Sequence, residues 1–167
     1  GDLFLPISEV WRDKLLALGA PAGRTLVHRM GVDTARFTET PRTLAPGESV
    51  RFIGVGRMVE KKGFDDALAA FAAARALPGA PAATLTLIGD GPLREALQAR
   101  AAELHLGDSV RFTGFLPHAR VAEELRAAHL FVLPSKTAAS GDMEGIPVAL
   151  MEAMAQGLPV LATRHSG

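Results

Sequence analysis

Glu144 and Glu152 bracket the heptapeptide Gly-Ile-Pro-Val-Ala-Leu-Met at 145–151. Pro147 suits the first turn of a helix, where its missing N–H costs nothing. Val148, Met151 and Met154 recur at helical spacing and give the segment an apolar face. The pattern predicts a helix from near Pro147, with Glu144 in the loop ahead of it. Glu152 then lies about five residues in, roughly 7.5 Å along the axis, with its side chain leaning back toward the start. Both carboxylates reach toward one helix N-terminus, whose open N–H groups favour an anion. Two carboxylates repel a bound phosphate unless they accept hydrogen bonds from another group, and sugar hydroxyls fit that part. Two solvated glutamates at a helix start are the alternative, and this stretch alone leaves both open.

A second constellation follows the run Val50–Val55, where Gly54-Val55-Gly56 leads to Arg57 and then to Lys62-Gly63. The opening glycines resemble a dinucleotide fingerprint, but the third glycine is missing and basic residues stand in its region. Arg57 offers a planar fork and Lys62 a point charge, the pair of donors a phosphate pocket needs. Solvated loop residues are the rival reading. Lys61 has no comparable placement and is expected to be exposed.

Gly89-Asp90-Gly91-Pro92 is a turn by composition, and its glycines would let a planar ligand approach the backbone. Asp90 is read as a cap for the following helix, with ligand contact as the alternative. Gly114-Phe115-Leu116-Pro117 closes another strand, and backbone groups near Leu116 could read a base edge. The polar loop from Ser135 to Glu144 is long enough to fold over a ligand, and Asp142 is either a turn-former or a contact. His28, His105, His118 and His129 have no companion acid or nucleophile at informative spacing and are read as structural or exposed. His165 keeps a candidacy for ligand contact because it follows the last strand.

The elements that must position these residues alternate. Strand-like runs at Val50–Val55, Thr84–Ile88, Val110–Thr113, Leu130–Leu133 and Pro159–Ala162 are separated by helical stretches at Phe64–Leu77, Leu93–Leu106, Arg120–Ala128 and Pro147–Gln156. Connections this long, between near-continuous apolar strands, predict an α/β fold: a doubly wound, Rossmann-like parallel sheet with right-handed crossovers. Ligands of such sheets bind at the carboxyl ends of the strands, where all the motifs above fall. Residues 1–33 carry a βαβ-like piece, Leu3–Ile7, a helix over Glu9–Leu18 capped by Ser8, and Thr25–Val27, read as the tail of a preceding domain. Residues 34–49 are read as a linker and 50–167 as the main domain.

Composition narrows the function. The 167 residues are 48% hydrophobic, with 18 basic and 18 acidic residues and no cysteine. The charge balance argues against a nucleic-acid surface or a polybasic membrane surface, and disulfide, thiolate and cysteine–zinc chemistry are excluded. The scattered histidines show no metal-ligand spacing. No apolar run approaches the roughly 20 residues that span a bilayer, and the N-terminus does not read as a signal peptide. A soluble intracellular location is therefore expected. The absent initial Met and the stop just after a strand suggest a fragment.

Jointly, Gly31-Val32-Asp33, Gly56-Arg57 through Lys62-Gly63, Gly89-Asp90-Gly91-Pro92, Gly114-Phe115 and the two glutamates resemble the nucleotide-sugar-binding half of GT-B glycosyltransferases, specifically glycosyltransferase family 4. The stretches Gly141 to Pro147 and Thr163-Arg164-His165-Ser166-Gly167 look most like bacterial exopolysaccharide enzymes of the colanic-acid type. The resemblance implies a retaining transferase that uses a nucleoside-diphosphate sugar without an obligatory metal or cofactor. By that resemblance Arg57 and Lys62 would hold the diphosphate and steady the leaving group, Glu144 the donor-sugar hydroxyls, and Glu152 the ribose hydroxyls. Gly145, Ile146, Pro147 and Val148 would form the turn whose N–H groups meet sugar and phosphate, with Gly56, Gly91 and Leu116 completing the donor site.

Neither glutamate need be a covalent nucleophile. UDP-sugars of glucose or galactose type are favoured as donors. The acceptor, a saccharide or lipid-linked sugar, would be bound mainly by an N-terminal lobe of which residues 1–33 would be the last piece. That lobe would also carry any peripheral membrane contact, at the inner face of the membrane. The 167-residue chain is thus expected to bind nucleotide more readily than it turns it over. A non-catalytic nucleotide-sugar-binding module and a sugar-nucleotide epimerase of the same fold are the alternatives.

Overall fold

Branched and apolar side chains make Val50–Val55 a strand, β1, and place it at the centre of the sheet, where both faces are covered. The computed structural model describes residues 2–165; Ser166 and Gly167, quoted for the resemblance, lie outside them. Four further strands run parallel to β1: β2 (Ala83–Ile88), β3 (Val110–Gly114), β4 (Leu130–Leu133) and β5 (Val160–Ala162). Their order is β3-β2-β1-β4-β5. β1 pairs with β2 from Val50 opposite Ala83 to Val55 opposite Ile88, and with β4 at Phe52–Leu130. The chain thus winds outward one way from β1 and then the other way from β4. A crevice opens at such a reversal, beyond the carboxyl ends of β1 and β4.

The helices are α1 (Glu9–Ala17), α2 (Phe64–Arg75), α3 (Arg94–Glu103), α4 (His118–Ala127) and α5 (Val148–Ala155). Each of the last four follows a strand and buries an apolar stripe on the sheet: Phe64, Leu68 and Phe71 from α2, Leu97 from α3, Val121 and Leu125 from α4, Ala153 from α5. These meet Ile53, Leu85, Leu87, Phe131 and Leu133 in one contiguous core. None of the described helices is long and apolar enough to cross a membrane.

The N-terminal piece differs from its expected form. α1 is present, and Ser8 caps it by accepting from the Trp11 N–H. The flanking runs, however, meet in one isolated parallel bridge, Phe4 with Thr25, and not in full strands. Residues 34–49, read as a linker, are packed onto the sheet domain. Phe37 is fully buried in the core. The Arg42 guanidinium donates to the carbonyls of Thr40, Leu125, Ala128 and Gln156, so it ties the ends of α4 and α5 together. Burial lowers its pKa from the ordinary arginine value.

Two glycines let the strand ends close up. Gly63 has φ +65° and sits against β4's exit, where a Cβ would lie 1.9 Å from the Pro134 carbonyl oxygen. Gly89 has φ +133°, and a Cβ there would lie 2.0 Å from the Gly56 carbonyl oxygen. Only glycine fits either place.

Candidate active site

The exit of β1 supplies the cations. Met58, fully buried, pins the turn: its N–H donates to the Asp90 carbonyl at 2.8 Å and its carbonyl accepts from the Leu93 N–H at 3.1 Å. That anchoring leaves Arg57 exposed at the mouth of the crevice. One short 3-10 turn, Glu60–Lys62, then reverses the chain into Gly63. The Lys62 stem lies back over Gly56, where a Cβ would come within 3.2 Å of its Cε. Its ammonium ends 2.6 Å from Glu144 Oε2, with the two side chains only 14% and 12% exposed. In a pair this far removed from water, losing either partner leaves an unpaired buried charge.

The loop after β4 is fastened to this turn at several points. Lys136 N–H donates to the Lys61 carbonyl at 3.0 Å, and Ala139 N–H donates to Glu60 Oε1 at 2.9 Å. Lys61, expected to be exposed, is instead partly buried and paired with Asp142 at 3.1 Å. Through this pair Asp142 holds the loop down. The Glu144 N–H donates to His165 Nε2 at 3.1 Å, so the candidate histidine positions the glutamate's backbone. His165, Ser135 and Glu144 line a small pocket of about 60 Å³, which also borders Gly145 and Pro147. On its other side Gly145 is pressed by the N-terminal piece, where a Cβ would lie 2.6 Å from Ile7 Cδ1.

Glu152, the fifth residue of α5, is 5% exposed and faces a larger cavity of about 520 Å³. Gly56, Arg57, Asp90, Phe115 and Leu116 line the same cavity. Phe115 is 80% exposed and presents an aromatic face there. The walls are mainly apolar, with charge confined to a few groups, the usual make-up of a small-molecule site.

His118, read as structural or exposed, is exposed, and it gains an acid partner that sequence spacing does not reveal: its Nε2 lies 2.7 Å from Glu152 Oε1, and its Nδ1 lies 3.1 Å from Arg36 Nη1. α4 starts two residues before the apolar pattern indicates, so His118 opens the helix at the carboxyl end of β3. His129 also has an acid near it, Glu48 at 3.7 Å, but in a separate cluster with Arg51 at the far end of the sheet. The Ala45 N–H and then Arg51 hold the Glu48 carboxyl below the usual carboxylate range.

Other expectations shift as well. Asp90 does not cap α3, whose cap residue is Leu93 without a side-chain bond; its carboxylate accepts from the Gly91 N–H and from Arg94. The side of Gly91 expected to admit a ligand faces the protein's own backbone, 2.6 Å from a built Cβ to the Met58 carbonyl oxygen. Pro147 is the residue before α5 and not its first, while Ile146 stays half-buried and Val148 exposed at the helix start. Sequence reasoning passed over Phe115 and His118 as site residues. An exposed aromatic directly after a strand end was the available signal for the first; the second had none, because its partner is fixed only by the sheet order.

Arg57 and Glu152 thus line one cavity, and Lys62 and Glu144 meet beside it across Gly56. The arrangement offers cations for a diphosphate, carboxylates for hydroxyls, and an apolar wall for a planar ring. Among the described residues no group of three or more His, Asp or Glu side chains gathers at metal-ligand spacing.

Known proteins resemble the chain in sequence and in fold. The family model described as glycosyl transferases group 1 matches residues 36–167. The chain is 44% identical over 166 residues to the amylovoran biosynthesis glycosyltransferase AmsK of Erwinia amylovora, covering 99% of this chain and 40% of that protein. It is 45% identical over 168 residues to WcaL of Escherichia coli K12, whose name assigns it to colanic acid biosynthesis as a glycosyltransferase, covering 100% of this chain and 40% of WcaL. The chain therefore spans about two fifths of the length of these relatives. Among solved structures, sucrose-phosphate synthase of Thermosynechococcus elongatus superposes with a TM-score of 0.77 at 26% identity, over 97% of this chain and 40% of that one. Anabaena HepE in complex with UDP-glucose superposes with a TM-score of 0.74 at 22% identity, over 97% of this chain and 44% of that one.

Proposed function

The chain belongs to the group 1 glycosyltransferases, and from that premise we propose that it carries the donor site of a retaining, metal-independent enzyme of exopolysaccharide assembly. The donor is a nucleoside-diphosphate sugar, with UDP favoured, and the acceptor is a saccharide or lipid-linked sugar held mainly by another lobe. The observation that carries the reading is the meeting of Lys62 with Glu144 at 2.6 Å beside the cavity shared by Arg57 and Glu152.

In this account Arg57 binds the diphosphate from the cavity mouth and Lys62 from the Glu144 side. As the sugar–phosphate bond breaks, negative charge grows on the leaving phosphate, and two preset cations stabilise that charge without reorganising. Glu144 and Glu152 are acceptors only, so they suit hydroxyls and repel phosphate. Glu144 holds sugar hydroxyls and Glu152 the ribose. N–H groups from Gly145, Ile146 and Val148 at the start of α5 meet the sugar and phosphate, with the helix dipole behind them. The base lies against Phe115 and the backbone at Leu116.

UDP is supported by the likeness to HepE, which was solved with UDP-glucose. The names of AmsK and WcaL support polysaccharide assembly. Ligand-observed NMR with a panel of UDP, GDP and their sugars tests the reading: saturation transfer to the base and ribose of UDP is expected, and no transfer from any nucleotide contradicts it. Product analysis with labelled donor and candidate acceptors separates transfer from epimerisation and from binding alone.

A further inference from the structure

We propose that His118 is the positioning residue for Glu152, presenting it as an acceptor to a ribose; the inference rests on the donor-site reading above. Arg36 contacts His118 Nδ1 at 3.1 Å. A guanidinium has only N–H donors, so Nδ1 must accept and its lone pair must be free of a proton. The tautomer that fits this contact carries its proton on Nε2, and that N–H points at Glu152 Oε1, 2.7 Å away. A doubly protonated ring would aim a second N–H at the guanidinium, so the arrangement selects one tautomer. The edge of Phe37, 5.2 Å between centroids and at 72°, fixes the ring plane from a buried anchor.

The consequence falls on Glu152. A carboxylate buried to 5% exposure needs its oxygens satisfied. His118 satisfies one, fixes the side-chain rotamer and leaves the carboxylate facing the cavity that both residues line. A carboxylate is an acceptor only, so the oxygen that His118 does not engage suits hydroxyl groups. His118 thus helps the site distinguish a ribose from a phosphate and sets the register of the nucleotide.

The test compares UDP with 2′,3′-dideoxy-UDP by calorimetry on the 167-residue chain and on His118→Ala and His118→Gln. Wild type is expected to prefer UDP by roughly tenfold or more, the worth of one charge-assisted hydrogen bond. His118→Ala should bring that ratio toward one while leaving dideoxy-UDP affinity within about twofold. His118→Gln, whose amide can still donate to Glu152, should recover part of the ratio. An unchanged ratio in His118→Ala, or an equal loss for both nucleotides, overturns the role. A wild type that binds neither nucleotide overturns the donor-site reading, and this role with it.

Discussion

Lys62 follows β1 and Glu144 follows β4, yet their charged ends meet at 2.6 Å where the sheet's winding reverses. The contact joins the two loops that in an open α/β sheet bracket a ligand. Before any ligand arrives, each charge satisfies the other.

Removing one partner alone should therefore cost more than removing both. Lys62→Met is expected to lower unfolding free energy by about 3 kcal/mol, because it strands a buried carboxylate. Lys62→Met with Glu144→Leu should recover most of that stability without recovering nucleotide binding. Urea denaturation of both single variants and the double variant measures the cycle, and additive losses would show that the pair is uncoupled.

Gly63→Ala is expected to be severe. A Cβ at that position would sit 1.9 Å from the Pro134 carbonyl oxygen, so the two strand exits must move apart. A melting temperature within a degree or two of wild type would contradict the close approach. The expected loss is about 3 kcal/mol or more, since backbone cannot yield as a flexible side chain would.

Arg42→Met tests whether residues 34–49 belong to the domain. Four carbonyls of the α4 and α5 ends and the segment itself lose their donor together. A loss of about 3 kcal/mol in urea is expected, at 1–3 kcal/mol for each buried acceptor left unsatisfied and with partial rescue by water. A stability equal to wild type would make the segment a tether.

Lys136 gives a pH signature. Burial lowers its pKa, but hydrogen bonds from its ammonium to Asp65 and Asp66 outweigh that, and the net shift is upward from the ordinary value of 10.5. The folded chain holds this proton more tightly than the unfolded one. Its contribution is thus complete below the unfolded value and disappears as pH rises through the higher folded one. Lys136→Met should be less stable than wild type by about 0.5–1 kcal/mol at neutral pH, a partly exposed pair being screened. Above the carboxylate range, urea midpoints of the two proteins should stay apart through neutral pH and converge in strongly alkaline buffer, and a gap that persists undiminished there would contradict the assignment.

Most of the scaffold was legible because strand and helix here differ in period and side-chain type. β1 and β4 have the boundaries that their branched, apolar runs predicted, and α2 starts at Phe64 as the pattern required. Helix ends were less legible: α3 was expected over Leu93–Leu106 and spans Arg94–Glu103, because apolar spacing continues into turns that cannot hold helical geometry. The paired partners were the hidden part. Lys61 with Asp142 and His118 with Glu152 join segments whose adjacency depends on the order of strands, which no local pattern encodes. Arg42 was hidden in a proline-containing polar stretch whose composition matches a linker.

The most direct measurement is the affinity of UDP for wild type and Arg57→Ala by isothermal titration calorimetry. Arg57 is exposed, so its loss should leave the fold intact. Its place on the cavity beside Glu152 predicts a loss on the order of 10- to 100-fold, one charged hydrogen-bonding group on a diphosphate. UDP bound with the same affinity by both proteins would contradict the account.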